Sequence, residues 1–266
     1  MDRVPTSYRL LEQLVQGIED CDLKFVDLSQ PPRQNCQQYS ILRAIKSDVL
    51  ASQVGKQAID AEVPSWYFRS RSIEDKQEGT SLEVPPIWEA GISRHSKIFR
   101  AVSLRRLVGQ VCVIDISEKA TEDSDYLLTR KAVLAWEEQY GIIPSNSWVL
   151  LRSDWSRRSD IETFLNIKLD GPHWPGFSKG CSQYLAQERN VLGVGVETAD
   201  VDAGQAGNFD PPFWTRQIMH DHGKCSLFNL CNLDQLPPTG AILIPVPLNM
   251  PRGSLKQANA IALIPS

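Results

Sequence analysis

Four short runs, at residues 148–151, 191–196, 241–246 and 260–264, constrain this chain most, because each is strand-sized, apolar and largely β-branched. Such runs are what buried strands look like. Cys112 falls in a further apolar run of the same kind, where a thiol acts as a small apolar residue. Helical patterns alternate with these strands. Tyr8, Leu10, Leu11, Leu14, Val15 and Ile18 recur at helical spacing and predict an amphipathic helix before a strand at 25–28. Residues 125–140 predict a helix that turns Leu127, Leu128, Val133, Leu134 and Trp136 to the core and stops at Gly141. Residues 31–76 carry little pattern, and their cluster Trp66-Tyr67-Phe68 reads as core filling or as a cap over a pocket.

The alternation points to an α/β protein. With 266 residues, 42% hydrophobic and 23% charged, the chain can bury one large core, and no composition break divides it. One domain over residues 1–266 is expected, with 1–22 as an N-terminal helical extension. A formal charge of -4 and a pI near 5.6 give no basic field, which argues against nucleic acid as a partner. No apolar run is long enough to span a membrane, and the N-terminus lacks the apolar core of a signal peptide, so a cytoplasmic protein is expected. The six cysteines form no Cys-x-x-Cys pair. Cys225 alone has a basic neighbourhood, from His222 and Lys224, and a buried, inert thiol is the simpler reading.

The segment Gln77-Glu78-Gly79-Thr80-Ser81-Leu82-Glu83-Val84-Pro85-Pro86-Ile87 keeps the frame of a metal-binding motif without its ligands. It resembles His-x-Gly-Thr-His-x-Asp-x-Pro-x-His, the signature of the cyclase family that includes kynurenine formamidase and isatin hydrolase. Gly79, Thr80 and Pro85 match. The resemblance continues in register from about Phe25 to Pro265, through the opening strand that ends in Gln30-Pro31, where His-Pro is usual. It includes His173-Trp174-Pro175-Gly176, the segment from Gly193 to Asp202, and Asn229-Leu230-Cys231-Asn232-Leu233. It implies a swivelling β/β/α fold, a mixed sheet rolled toward a barrel with flanking helices. It also implies assembly into homodimers or homotetramers.

In the family the motif's histidines and aspartate, with a further His and Glu, hold divalent cations. Such a metal lowers the pKa of a bound water and polarises a carbonyl. Carried over position by position, the ligands become Gln77, Ser81, Glu83 and Ile87, with Phe228 at the ligand Glu and Arg216, twelve residues upstream, at the ligand His. Zinc needs three or four ligands and harder cations need several oxygens, so this set falls short. No metal and no other cofactor is expected. A carboxylate left alone in a dry cavity is costly, so Glu83 is expected to pair with Arg216, with Ile87 and Phe228 filling apolar volume beside them.

Two other patterns compete. His220-Asp221-His222 looks like a ligand cluster, but residues two apart on a helix face different ways, and a histidine beside the last helix carbonyls is the simpler reading. Gly176-Phe177-Ser178-Lys179-Gly180 matches the nucleophile elbow of hydrolases, yet loop-like sequence precedes it, and Ser178 is expected to cap a helix.

The favoured expectation is a metal-independent enzyme that closes a ring, dehydrates, isomerises or hydrolyses a small carbonyl compound of specialised metabolism. Glu83 would act as acid or base, and Arg216, Gln77 and Ser81 would orient the substrate or stabilise an oxyanion. Trp88, Phe213, Trp214, Phe228 and Ile87 would wall the pocket for an aromatic or polyketide-like ligand. The alternatives are a pseudoenzyme that binds a ligand or partner, and a metal-dependent arylformamidase-type amidohydrolase with a relocated metal site.

Overall fold

The computed structural model describes residues 6–31, 80–83, 104–247 and 255–266. Gln77, Ile87, Trp88 and the cluster at 66–68 lie outside the described residues. Helix α1 (Thr6–Glu19) leads into strand β1 (Leu23–Asp27), and β2 (Ser81–Glu83) carries the motif. There follow β3 (Gly109–Asp115), α2 (Ser117–Glu122), β4 (Leu127–Leu128), α3 (Arg130–Tyr140), β5 (Trp148–Arg152), α4 (Ile161–Leu165), β6 (Ile167–Lys168), β7 (Gly171–Pro172) and β8 (Gly176–Phe177). The remainder comprises α5 (Lys179–Gln183), β9 (Gly193–Val196), α6 (Trp214–Asp221), β10 (Cys225–Phe228), β11 (Ala241–Pro247) and β12 (Leu255–Pro265).

The main sheet has eight strands in the order β1-β12-β11-β3-β5-β9-β10-β2, and β2 pairs back onto β12. Seven strands, from β12 round to β2, therefore close a ring, with β1 added to β12. The long β12 makes this possible, pairing residues 255–257 with β2 and 261–265 with β1. Strands β3, β5, β9 and β10 are parallel, while β2, β11 and β12 join antiparallel. The mixed, barrel-like sheet with flanking helices matches the fold that the motif implied.

Side-chain alternation then sorts the strand residues into two cores. Val111, Val113, Trp148, Leu150 and Leu227 join the alanines Ala258, Ala260 and Ala262 of β12 in one cluster. Their neighbours Cys112, Ile114, Val149, Leu151, Val194 and Val196 pack with residues of α3, α5 and α6 in the other. Trp148 is fully buried and donates its indole N–H to Leu107 O at 2.8 Å. Glycine faces it of necessity. A Cβ on Gly193 would meet Trp148 Cζ3 at 2.6 Å and Cys225 O at 2.5 Å.

The helix expected at 125–140 begins only at Arg130. Leu127 and Leu128 pair with Gly176 and Phe177 as a small parallel sheet, and Thr129 caps the helix by accepting from Ala132 N. Leu134 is exposed rather than core-facing. Gly141 does end the helix, at a φ of 95° that favours glycine. Ser178 caps α5 by accepting from Cys181 N, which puts it at a helix start rather than on a nucleophile elbow. Helix α1 forms as expected and buries none of its residues, leaving Tyr8, Leu10, Leu11, Leu14 and Val15 exposed. No described helix is long and apolar enough to cross a membrane.

Candidate active site

The site is assembled by β2, β10, α6 and the loop that follows β9. β2 is only three residues long, and its position depends on the preceding residue. Thr80 Oγ1 donates to Asn229 O at 2.6 Å and accepts from Gln30 N at 2.7 Å, tying the motif to the end of β10 and to the chain after β1. Cross-strand pairing then sets Ser81 opposite Phe228 and Glu83 opposite Ser226. Directly paired residues project to the same face, so these four share one side of the sheet.

Helix α6 supplies the cation. Its first residue follows Phe213, which holds a left-handed φ of 53° and gives no side-chain cap. A distant residue caps it instead. Asp202 Oδ1 accepts from Thr215 N at 2.8 Å and from Arg216 N at 3.3 Å, fixing the helix start against the loop after β9. Asp200, on the same loop, takes Arg216 Nη2 at 2.6 Å. Arg216 Nη1 in turn lies 3.3 Å from Glu83 Oε2, and its guanidinium stands 5.8 Å above the Phe228 ring.

The expected pair of Glu83 with Arg216 is therefore present, but Asp200 makes the shorter contact. Glu83 and Asp200 are almost completely buried and Arg216 is largely so. Burial works to release the guanidinium proton, and the charges of Asp200, Glu83 and Asp202 more than offset it, so Arg216 holds its proton even more tightly than an ordinary arginine. It is a fixed positive charge. An acid or base at this site has to be another group.

His220, one turn along α6 from Arg216, is the residue that sequence reasoning missed. Its Nε2 is buried, makes no hydrogen bond and lies 3.4 Å from Glu83 Oε1. The two histidines do diverge as their spacing requires, and only His222 takes the simple role, with Nδ1 2.8 Å from Ile218 O. Four-residue spacing from Arg216 was the available signal. Asp200 and Asp202 were also unassigned, although both follow a parallel strand's carboxyl end, where sites in α/β sheets form.

The remaining expected residues separate. Phe228 is fully buried and joins the helix-side core while keeping its face under Arg216. Trp214 is half-buried, stacks on Phe209 at 4.2 Å between ring centroids and donates to Phe177 O at 2.8 Å. Its ring is thus engaged by its own neighbourhood. Phe213 is half-buried at the helix start. Cys225 is fully buried, and burial drives its thiol well above the ordinary range, so it is no nucleophile.

The ligand positions described do not fit a metal. Ser81 and Glu83 offer one neutral and one anionic oxygen, Phe228 offers hydrocarbon, and Arg216 brings a permanent positive charge beside Glu83. Among the described residues no group of three or more His, Cys, Asp or Glu is placed to hold a metal ion. Several polar atoms of the site are instead buried without a hydrogen bond: Glu83 Oε2, Arg216 Nε, His220 Nε2 and Ser226 Oγ. Native proteins leave few such groups, and a cluster of them is what a polar ligand would satisfy.

Comparison with known proteins identifies the family. The family described as "Putative cyclase" matches residues 26–203. Isatin hydrolase of Roseibium aggregatum is 37% identical over 191 residues, covering 71% of this chain and 72% of that protein. Isatin hydrolase A of Ralstonia solanacearum superposes with a TM-score of 0.73 at 32% identity, over 99% of each chain. Isatin hydrolase A of Labrenzia aggregata, bound to benzyl benzoate, gives a TM-score of 0.72 at 31% identity, over 97% of this chain and 100% of that one. The chain belongs to the cyclase family.

Proposed function

We propose that this protein is a metal-independent enzyme of the family, acting on a small carbonyl or acyl compound by hydrolysis, ring closure, dehydration or isomerisation. Kinship with isatin hydrolases supports an enzyme of hydrolase or cyclase type. One observation carries the metal-free reading. The charge of Arg216 stands 3.3 Å from Glu83, at positions the family resemblance gives to metal ligands.

In this reading Glu83 moves the proton, since its Oε2 is buried and accepts no hydrogen bond. Arg216, clamped by Asp200, supplies a preorganised positive charge for the oxygen that becomes negative, with its Nε left without a partner. Ser81 and Gln77 orient the substrate. Phe213 is the described residue proposed as apolar wall, the same role expected of Ile87 and Trp88 falling outside the described residues, and an aromatic or polyketide-like compound of specialised metabolism is the proposed substrate class. The exposed apolar face of α1 supports self-association of this chain as a homo-oligomer, which light scattering checks.

The test uses chelator-treated protein with isatin and a panel of aromatic lactams and lactones. Turnover that survives metal removal and is abolished by Glu83→Gln is expected. Stoichiometric zinc or manganese in the purified protein, or loss of activity with EDTA, overturns the metal-free mechanism. A pseudoenzyme shows no turnover of any probe.

A further inference from the structure

Arg216 holds its proton too firmly to exchange it, yet a carboxylate that abstracts a proton must pass it on before the next cycle. The only titratable neighbours described around Glu83 are Arg216 and His220 of α6, with Asp200 and Asp202 engaged beyond Arg216. We infer that His220 is the proton relay of this site, acting through Glu83. The inference rests on the reading of Glu83 as the proton-moving carboxylate.

Three observations carry it. His220 Nε2 faces Glu83 Oε1 at 3.4 Å, and Arg216 Nη1 straddles the carboxylate, 3.3 Å from Oε2 and 3.5 Å from Oε1. The two side chains of α6 thus converge on the one carboxylate. Second, Nε2 is buried and makes no hydrogen bond, so the ring is held at Glu83 by the helix rather than by a competing partner. Third, the His220 side chain is 22% exposed against 8% for Glu83, so it bridges the buried carboxylate and solvent. Imidazole is also the side chain whose ordinary proton affinity lies nearest neutrality.

For a hydrolysis the balance is simple. The O–H bond of an attacking water breaks as its oxygen bonds the carbonyl carbon, and the proton passes to Glu83. His220 Nε2 takes that proton from Glu83, leaving the carboxylate free. When the carbonyl carbon releases its leaving group, a proton returns along the same path to the departing atom. His220 never touches the substrate and is a positioning and relay residue.

Two readouts on the full chain test this. In imidazole-selective 1H–15N spectra, Glu83→Gln is expected to move the His220 signals and leave those of His222 in place. With isatin or the panel lactone turned over best, His220→Ala is expected to lower kcat about 100-fold with little change in KM, and added imidazole to restore at least about tenfold. His220→Gln serves as the folded control, since it keeps the volume without the relay and is expected to be as slow. An unmoved His220 signal overturns the inference, as does a wild-type rate in His220→Ala or a deficit that imidazole does not relieve. If Glu83→Gln turns over normally, the proposed function fails instead. If Glu83→Gln is dead and both His220 variants are active, only the relay fails.

Discussion

Arg216 lies closer to Asp200, at 2.6 Å, than to Glu83, at 3.3 Å, so the guanidinium belongs to the scaffold as much as to the chemistry. Asp200 and Asp202 sit on one loop and hold both the side chain and the backbone of the same residue. The position of the positive charge is thereby set before any substrate arrives.

Removing that charge leaves two buried carboxylates unbalanced. Arg216→Met is expected to destabilise the protein by about 3 kcal/mol, the usual scale for breaking a buried ion pair by removing one partner. Pairing it with Asp200→Asn should recover part of the loss. Urea unfolding of the two single variants and the double variant measures both effects.

Thr80 is expected to be as important as the residues it positions. Thr80→Val removes a donor to Asn229 O and an acceptor for Gln30 N, costing about 2 kcal/mol, whereas Thr80→Ser keeps both bonds. Activity should fall further in Thr80→Val than stability alone explains, because Glu83 lies three residues on in the same strand segment. Comparing kcat with chemical denaturation separates the two.

Acid should unfold the protein partly through Glu137. Burial pushes its carboxyl upward, but hydrogen bonds from Arg189, Tyr184 and the Ile143 amide prevail, and the net result is below the usual range. A carboxyl depressed in the folded state contributes stability above its unfolded pKa and loses it as pH falls through the folded one. Glu137→Gln should therefore be less stable than the wild type at pH 7, with the gap closing below about pH 4. Unfolding titrations from pH 7 to pH 3 give the comparison.

Gly193→Ala should be among the most damaging small changes. The added methyl meets both the Trp148 ring and the Cys225 carbonyl, so neither the side chain nor the backbone can yield freely. A loss of about 1–3 kcal/mol is expected, readable as a lower midpoint in urea.

The parallel strands were legible because they are apolar on both faces, and the site's Glu83 and Arg216 were legible because a motif frame fixed their positions. What escaped had other causes. Leu127 and Leu128 share a helical pattern with α3, and only their pairing with Gly176 and Phe177, some fifty residues away, makes them strand. The cap of α6 comes from Asp202, fourteen residues before Arg216, so no local signature announces it. His220 was set aside because residues two apart on a helix diverge and a helix-end histidine was the simpler reading, and its approach to Glu83 shows only when β2 is placed against α6.

Strand β2 closes the ring and also carries Glu83, bonded to β10 on one side and β12 on the other. Occupancy of the site and integrity of the barrel are therefore one event seen from two places. A compound that settles on Glu83 should slow amide exchange at Phe228 beside it and at Ala258 on β12, so a ligand can be found by deuterium uptake before any reaction is known.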